Sequence, residues 1–410
     1  MRTLFINRHP LDWATGPRGS YLPAPASERH LITRVYGGGV RGYEPAAFGT
    51  TAVLDMRDDA RLDTVARWLA REKRIDSVVA LHEKDVLRVA RIREEFALGG
   101  MGVEETLRFR DKLLMKDVLA EGGYSGLPRY VKLSPDEPLP VLGWQGASVV
   151  KGRMGMGAMQ VRIVQSRDEA EHAVRELALD GDGLEIEEYV DGTMYHCDSV
   201  VHDGKVLFSA ASEYLTPCAN YRHVAYNGSF LLTDGPVREE VIREAEETIR
   251  ILGLTSGVTH IEFIRRPSGE LVFCEAAARP AGGSIDETIR RTYDVNIVRA
   301  SVELQCGLAP TLPDLLPDVT NAAGVVWIYR SPHGDDRPVP QVKTLQGVAA
   351  YDFAFQTGAT RSRHMTDYAH KVVITGRDRA ELEAVLESVL PHLIVRAEDR
   401  AAPPRSTCAT

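Results

Sequence analysis

The chain has 410 residues, 44% of them hydrophobic, a formal net charge of −9 and five cysteines. Its length leaves room for two to three domains of about 150 residues each. The acidic balance, with no basic stripe interleaved with aromatics, excludes a nucleic-acid binder, and no run approaches the roughly 18 apolar residues that a membrane span needs. Cysteines at 197, 218, 274, 306 and 408 are irregularly spaced and lack a C-x-x-C pair, so they read as reduced thiols. The opening MRTLFINRHPLDW returns to polar residues quickly; no secretory leader is expected and the cytosol is the expected compartment.

Thr3 to Asn7 reads as a strand, Ala52 to Asp55 as another, Leu62 to Lys73 as a helix, and Ser77 to Leu81 as a buried strand ending at His82-Glu83. Strand and helix alternate, which predicts a small parallel α/β domain over residues 1–107. There is no G-x-G-x-x-G, and Gly37-Gly38-Gly39 reads as a loop, so no NAD site is expected. Glu83 stands at the carboxyl end of a strand, where open α/β sheets place ligands; its other reading is a helix N-cap or first-turn acid.

Arg110 to Lys116 opens a helix whose apolar face runs through Leu114, Met115, Val118 and Leu119, and Gly122-Gly123 ends it. Lys112 sits near the start of that helix, where the dipole attracts anions; it reads either as a phosphate ligand or as a solvated charge. Ala147 to Lys151 is a buried strand running into Gly152, Gly155 and Gly157, a loop able to fold over phosphates with its backbone N–H groups. Arg167 to Ala178 is a charged amphipathic helix. Leu184 to Gly192 is an alternating strand that breaks at a turn, and its main chain can offer a donor and an acceptor to a base edge.

Val258 to Ile264 and Leu271 to Ala276 flank Pro267-Ser268-Gly269, a hairpin signal. Closing the loop with Arg265 and Glu270 pairs Ile264 with Leu271, Glu262 with Phe273 and His260 with Glu275. His260, Glu262 and Glu275 then share one face, the two glutamates being diagonal neighbours roughly 7–8 Å apart. Carboxylates this close repel unless a cation lies between them, and oxygen-only ligands suit magnesium. Arg279 follows, with a guanidinium fork that matches phosphate oxygens, and Pro280-Ala281-Gly282-Gly283 lets backbone approach a ligand. The alternative is a solvent-facing strand with Arg279 as an ordinary salt-bridge partner.

Beyond about Thr311, Pro310, Pro313 and Pro317 mark a linker into a C-terminal domain over 311–399. It has strands near Gly324 to Tyr329 and Lys371 to Thr375 and a helix from Arg379 to Leu390. The tail 400–410 reads as disordered.

Taken together from about Arg108 to Gly283, these motifs resemble the ATP-grasp superfamily. The resemblance implies an α/β (α+β) chain: an ATP-grasp domain over 108–310 with a lid at about 120–188, behind a Rossmann-like N-terminal domain and ahead of a C-terminal α+β domain. It implies ATP and Mg2+ as cofactors. Lys112, Lys151, Gly155 and Gly157 fall on the phosphates, Glu187, Glu188, Tyr189 and Val190 on the adenine, and His196 or Asp198 on ribose or phosphate. Glu262 and Glu275 are the implied metal ligands. Arg279 would steady the transferred phosphate, with His260 orienting the acid or relieving the amine of a proton. Two departures stand out: Ala277 occupies a position where many members carry a metal-binding asparagine, and Ala158 one where relatives often have serine.

The stretch IDSVVALHEKDVLRVARIREEFALGG before RFRDKLLMK, with THIEF and CEAAARPAGG after it, resembles carboxylate–amine ligases that include L-amino-acid ligases. A small-molecule carboxylate would be activated as an acyl phosphate and joined to an amine, with Glu83, Gly282, Gly283 and Ser284 near the substrates. Alternatives are an ATP-grasp ligase that forms a thioester on a carrier protein or carboxylates a metabolite, and a non-catalytic nucleotide sensor. Homodimers are common among such relatives, but no residue pattern here shows one.

Overall fold

The computed structural model describes residues 1–35, 47–134, 137–178, 183–316, 319, 321–330, 336–354, 365 and 367–394. The readings of Gly37 to Gly39, of Pro317 and of the tail 400–410 lie outside the described residues. The first sheet is parallel and is built from β1 (Thr3–Asn7), β2 (Arg29–Val35), β3 (Thr50–Asp55) and β4 (Ser77–Ala80) in the order β3-β2-β1-β4. β1 and β4 are buried along their whole length, as unbroken apolar runs in parallel sheets are. Helices α1 (Leu11–Thr15), α2 (Asp59–Glu72) and α3 (Glu83–Glu95) accompany it. The chain leaves β1 toward β2 and later returns to β1's other side as β4, so the strand order reverses between β1 and β4. Such switch points are where open sheets bind ligands, and here they deliver His9 and His82-Glu83.

After α4 (Val103–Arg108), α5 (Lys112–Glu121) starts at a definite cap: the Asp111 carboxylate accepts from the N–H groups of Leu113 and Leu114. That cap fixes Lys112 as the first helical residue. The second sheet is antiparallel and holds β5 (Tyr130–Leu133), β6 (Ser148–Gly152), β7 (Val161–Val164) and β8 (Leu184–Glu188) in the order β5-β8-β6-β7. It is covered by α6 (Arg167–Leu177), whose Ala170, Ala173 and Leu177 pack with Val150 and Ile186.

The third sheet has eight strands: β9 (Thr193–His202), β10 (Lys205–Tyr214), β11 (Tyr226–Leu231), β12 (Gly257–Arg265), β13 (Leu271–Ala277), β14 (Ala322–Tyr329), β15 (Val348–Phe353) and β16 (Tyr368–Gly376). Their order is β13-β12-β9-β10-β11-β14-β16-β15. Helices α7 (Pro236–Leu252), α8 (Ile285–Tyr293), α9 (Ile297–Gln305) and α10 (Arg379–Leu393) complete the chain. Among the described residues the C-terminal segment builds no sheet of its own; β14 pairs with β11 and lengthens the large sheet. What it does own is a separate apolar cluster, where α10 sets Leu382, Leu386 and Val389 on Val326, Val372 and Ile374. Burying each such aliphatic side chain contributes about 1.5–3 kcal/mol. No helix among the described residues is long and apolar enough to cross a membrane.

Candidate active site

The hairpin of β12 and β13 carries the two glutamates, in a register that differs from the expected one. Arg265 pairs with Leu271, Ile264 with Val272 and Phe263 with Phe273; a bulge then lets Cys274 pass unpaired, and Glu262 lies directly opposite Glu275. A bulge puts two residues against one and re-aims the following side chain, which no hydrophobic pattern announces. Like charges placed directly opposite are destabilising, so this pair calls for cations.

Cations surround it. Lys112 Nζ lies 2.8 Å from a Glu275 oxygen and donates to the Gly155 carbonyl at 2.7 Å. Burial works against charge on Glu275, yet Lys112, Lys151 and Arg279 outweigh it and hold the carboxyl at about 2. Glu262 accepts from the Tyr214 hydroxyl at 2.9 Å and lies 3.4 Å from His260 Nε2. His260 is buried, which opposes its charge, but Asp198 at 3.0 Å and Glu262 raise its pKa to about 10. Both imidazole nitrogens are engaged, Nδ1 with Asp198 and Nε2 with Glu262 and the Tyr214 hydroxyl, so the ring steadies Glu262.

Lys112 is not the solvated charge of the alternative reading: it is buried. Lys151, at the end of β6, is ion-paired with Glu187 and lies 3.8 Å from Cys274 Sγ. Behind it a second cation, Lys116, is fully buried between Glu185 at 2.5 Å and Glu187 at 2.7 Å. Burial opposes ionisation of Glu187, and the two lysines reverse that and lower its pKa. Sequence reasoning missed Lys116 and Glu185. The signal was there in the spacing, four residues after Lys112 on a helix and two before Glu187 on a strand.

On the opposite wall, β8 runs out into Tyr189 and Val190, which line a cavity of about 230 Å3 with Glu187, Lys112, Lys151, Glu262, Glu275 and Arg279. The N–H groups of Glu188 and Tyr189 are already bonded to the carbonyls of Arg129 and Ala147, while Val190 N–H has no partner among the described residues. Glu188 is turned away from the cavity and paired with Arg129 at 2.6 Å and Arg266 at 2.9 Å. Gly157 lines the cavity, whereas Gly155 acts through the carbonyl that holds Lys112. Gly157 and Ala158 are both left-handed, with φ of 59° and 56°, so the loop is sharply curled where phosphates are expected.

Arg279 reaches across to Glu83 at 2.5 Å, and Glu83 also lies 3.4 Å from Arg110. Burial opposes charge on Arg279, and Glu83 outweighs it. Both readings of Glu83 therefore hold together: it is the first residue of α3, preceded by the His82 cap, and it lines the cavity. His9 and His82, which sequence reasoning left unassigned, stand beside it with ring centroids 5.2 Å apart. Burial and the charge of Arg279 push His9 down to about 4, so it is neutral.

Besides Gly155 and Glu188, the expected site residues His196, Gly283 and Ser284 do not line the cavity. His196 is fully buried, hydrogen-bonded at 2.7 Å to both Asp198 and Ser229, and covered by the rings of Tyr214 and His260 at 4.7 and 4.9 Å. It reaches the site only through the Asp198–His260–Glu262 chain. His196, Asp198 and His260 are grouped closely enough for a metal, but the Asp198 oxygens already take a hydrogen bond from each imidazole. Gly282 lines the cavity, but Gly283 and Ser284 do not: with φ of 70° and 73° they swing the chain away, and the Gly283 carbonyl accepts from Trp327 Nε1 at 2.8 Å. The side chain that returns to the cavity is Ile285.

Residues 109–283 match the model of the ATP-grasp domain. The chain carries the ATP-grasp fold. It is 27% identical over 299 residues to an L-arginine-specific L-amino acid ligase of Bacillus subtilis, a match covering 69% of this chain and 70% of that protein. Over 217 residues it is 28% identical to carnosine synthase 1 of Gallus gallus, covering 49% of this chain and 23% of that one. Among solved structures, an L-amino acid ligase from Bacillus licheniformis superposes with a TM-score of 0.77 at 18% identity, over 97% of this chain and 99% of that one. N5-carboxyaminoimidazole synthetase from Staphylococcus aureus, complexed with ADP, superposes with a TM-score of 0.71 at 11% identity, covering 95% and 96%. The chain thus resembles L-amino-acid ligases along most of its length.

Proposed function

We propose that this ATP-grasp protein is an ATP-dependent carboxylate–amine ligase that activates an amino acid or related acid as its acyl phosphate and joins it to an amine. The observation that carries the reading is the direct Glu262–Glu275 pair, met by Lys112, Lys151, His260 and Arg279 on one wall of a cavity whose other wall offers Val190 N–H. The base lies along Tyr189 and Val190, with that N–H as donor. The phosphates lie over the Met156–Ala158 curl, neutralised by Lys112 and Lys151. The donor set fits a hard divalent cation: two adjacent carboxylates, oxygen only, with Glu275 held ionised by its surrounding cations and Ala277 adding no third ligand. Glu262 and Glu275 would hold magnesium, which would supply neutralising charge to the nucleotide's phosphates.

The remaining residues position the reactants, which is most of what phosphoryl transfer asks of a protein. Arg279, steered by Glu83, presents its guanidinium to the acid's carboxylate. One carboxylate oxygen attacks the γ-phosphorus and ADP leaves. The amine, its ammonium proton lost to solvent, then attacks the acyl carbon; the carbon–oxygen bond to phosphate breaks, and the leaving phosphate takes up the proton that the nitrogen gives up. Glu83 is the carboxylate beside His9 and His82 on the acid side, placed to draw in the amine's ammonium form. The neutral histidines shape that end without adding charge.

Phosphate release from ATP with paired amino acids, and mass spectrometry of the product, tests this. Release that requires both acid and amine, with a new amide of the summed mass less water, is expected. A requirement for a carrier-protein thiol, or ATP binding without turnover across the panel, would overturn it.

A further inference from the structure

A second cavity, of about 290 Å3, opens along α3, where Val86, Val89 and Arg93 form one stripe. Arg93 is 3% exposed and has no carboxylate within ion-pair distance among the described residues. Its Nη2 donates to the Val78 carbonyl at 2.8 Å and to Gln305 Oε1 at 3.0 Å, and its Nη1 to the Met101 carbonyl at 3.3 Å; Nε has no partner. A buried cation without a counter-ion is costly to keep. Burial accordingly pulls its pKa down to about 10, against weaker upward pulls from Cys306 and Glu105.

The surroundings are built around this group. Gln305 is clamped to Ala80, accepting from its N–H at 3.1 Å and donating to its carbonyl at 3.0 Å, so the oxygen it offers Arg93 is fixed. At Gly100, φ is 106° and a Cβ would lie 2.9 Å from Arg93 Nε; glycine leaves that approach open. Glu105 lines the same cavity, its Oε1 accepting from Thr255 N–H at 2.7 Å. A simple anion would face Glu105 and a simple cation would face Arg93. A ligand carrying both charges satisfies the two walls at once.

We propose that this cavity binds a free amino acid as its zwitterion, the carboxylate on Arg93, the ammonium toward Glu105, and an aliphatic side chain among Val86, Val89, Met101 and Leu304. The two cavities share α3: Glu83, its first residue, holds Arg279, and Arg93 lies about 15 Å further along the axis.

L-methionine binding to the full chain by calorimetry is the test, run in an Arg279→Ala background so that the first cavity's arginine is absent. Binding is expected to persist there and to weaken at least tenfold when Arg93→Met or Leu308→Trp is added. Leu308 is 39% exposed and lines the cavity, so the larger ring blocks it without disturbing a core, and this variant serves if Arg93→Met does not fold. Crystals soaked in L-selenomethionine are expected to show anomalous selenium density in the second cavity. Binding that disappears with Arg279→Ala, affinity unchanged by Leu308→Trp, or density without binding in solution would each overturn the proposal. The readout is binding alone, so its failure leaves the ligase reading to its own phosphate-release test.

Discussion

Two buried charge clusters stand side by side in this protein and are built on opposite logic. In the Lys116–Glu185–Glu187–Lys151 cluster, cations and anions alternate, so every charge is neutralised by its neighbours. In the hairpin, two carboxylates face each other across a bulge and are restrained from outside by Lys112, Tyr214 and His260. The first arrangement balances its own charges and meets the cavity only at its Lys151 and Glu187 end. The second faces the cavity with two like charges, which a cation would balance.

Breaking each cluster sharpens the contrast, and the largest expected effect falls on catalysis. Glu275→Gln or Glu262→Gln should lower amino-acid-dependent phosphate release by about a hundredfold or more, in line with loss of one group aimed at developing charge. Glu275→Gln should also lower thermal stability, because it leaves buried Lys112 without the carboxylate that holds it. Parent-like turnover in both variants would remove the hairpin from the reaction.

Lys116→Met should act on stability first, costing about 3–5 kcal/mol, because it strands the Glu185 and Glu187 carboxylates without one of their cations. Adding Glu185→Leu should restore part of that loss in urea melts. A single variant as stable as the parent would show that Lys116 is dispensable to the cluster.

Smaller still is a pH effect away from both clusters. Burial raises Asp286 to about 6, against the hydrogen bond from Trp13 Nε1, and its other oxygen has no partner. An acid whose folded pKa exceeds its unfolded value favours folding while protonated, so the parent should lose stability as pH rises from about 4 to 6. The residue is only partly buried, and screening reduces the loss to about 1–2 kcal/mol. Asp286→Asn should be flat across that window and more stable than the parent at pH 7. Parallel pH profiles for the two proteins would count against a buried, ionised Asp286.

Local chemistry made much of this legible in the sequence. The helix opening near Lys112, the β6 lysine, the β8 strand end and the turn at Pro267-Ser268-Gly269 all depend on neighbours a few residues away, and each of those elements is present. Register did not follow, because the loop closes at Arg266 and Glu270, one residue from the expected pair, and the bulge at Cys274 adds a second shift without changing the hydrophobic pattern. Long-range closure was equally hidden. Nothing local tells β14 to pair with β11, places His9 beside His82, or buries His196 beneath Tyr214 and His260. Arg93 reads as one more charge on an amphipathic helix until the fold closes around it.

The central claim is that the bulged glutamate pair holds a divalent cation beside nucleotide. Manganese binding followed by electron paramagnetic resonance, with a non-hydrolysable ATP analogue present, tests it without reference to turnover. Tight binding by the parent and its loss in a folded Glu262→Gln, Glu275→Gln double variant is the predicted result. Equal manganese affinity in the two proteins would contradict it.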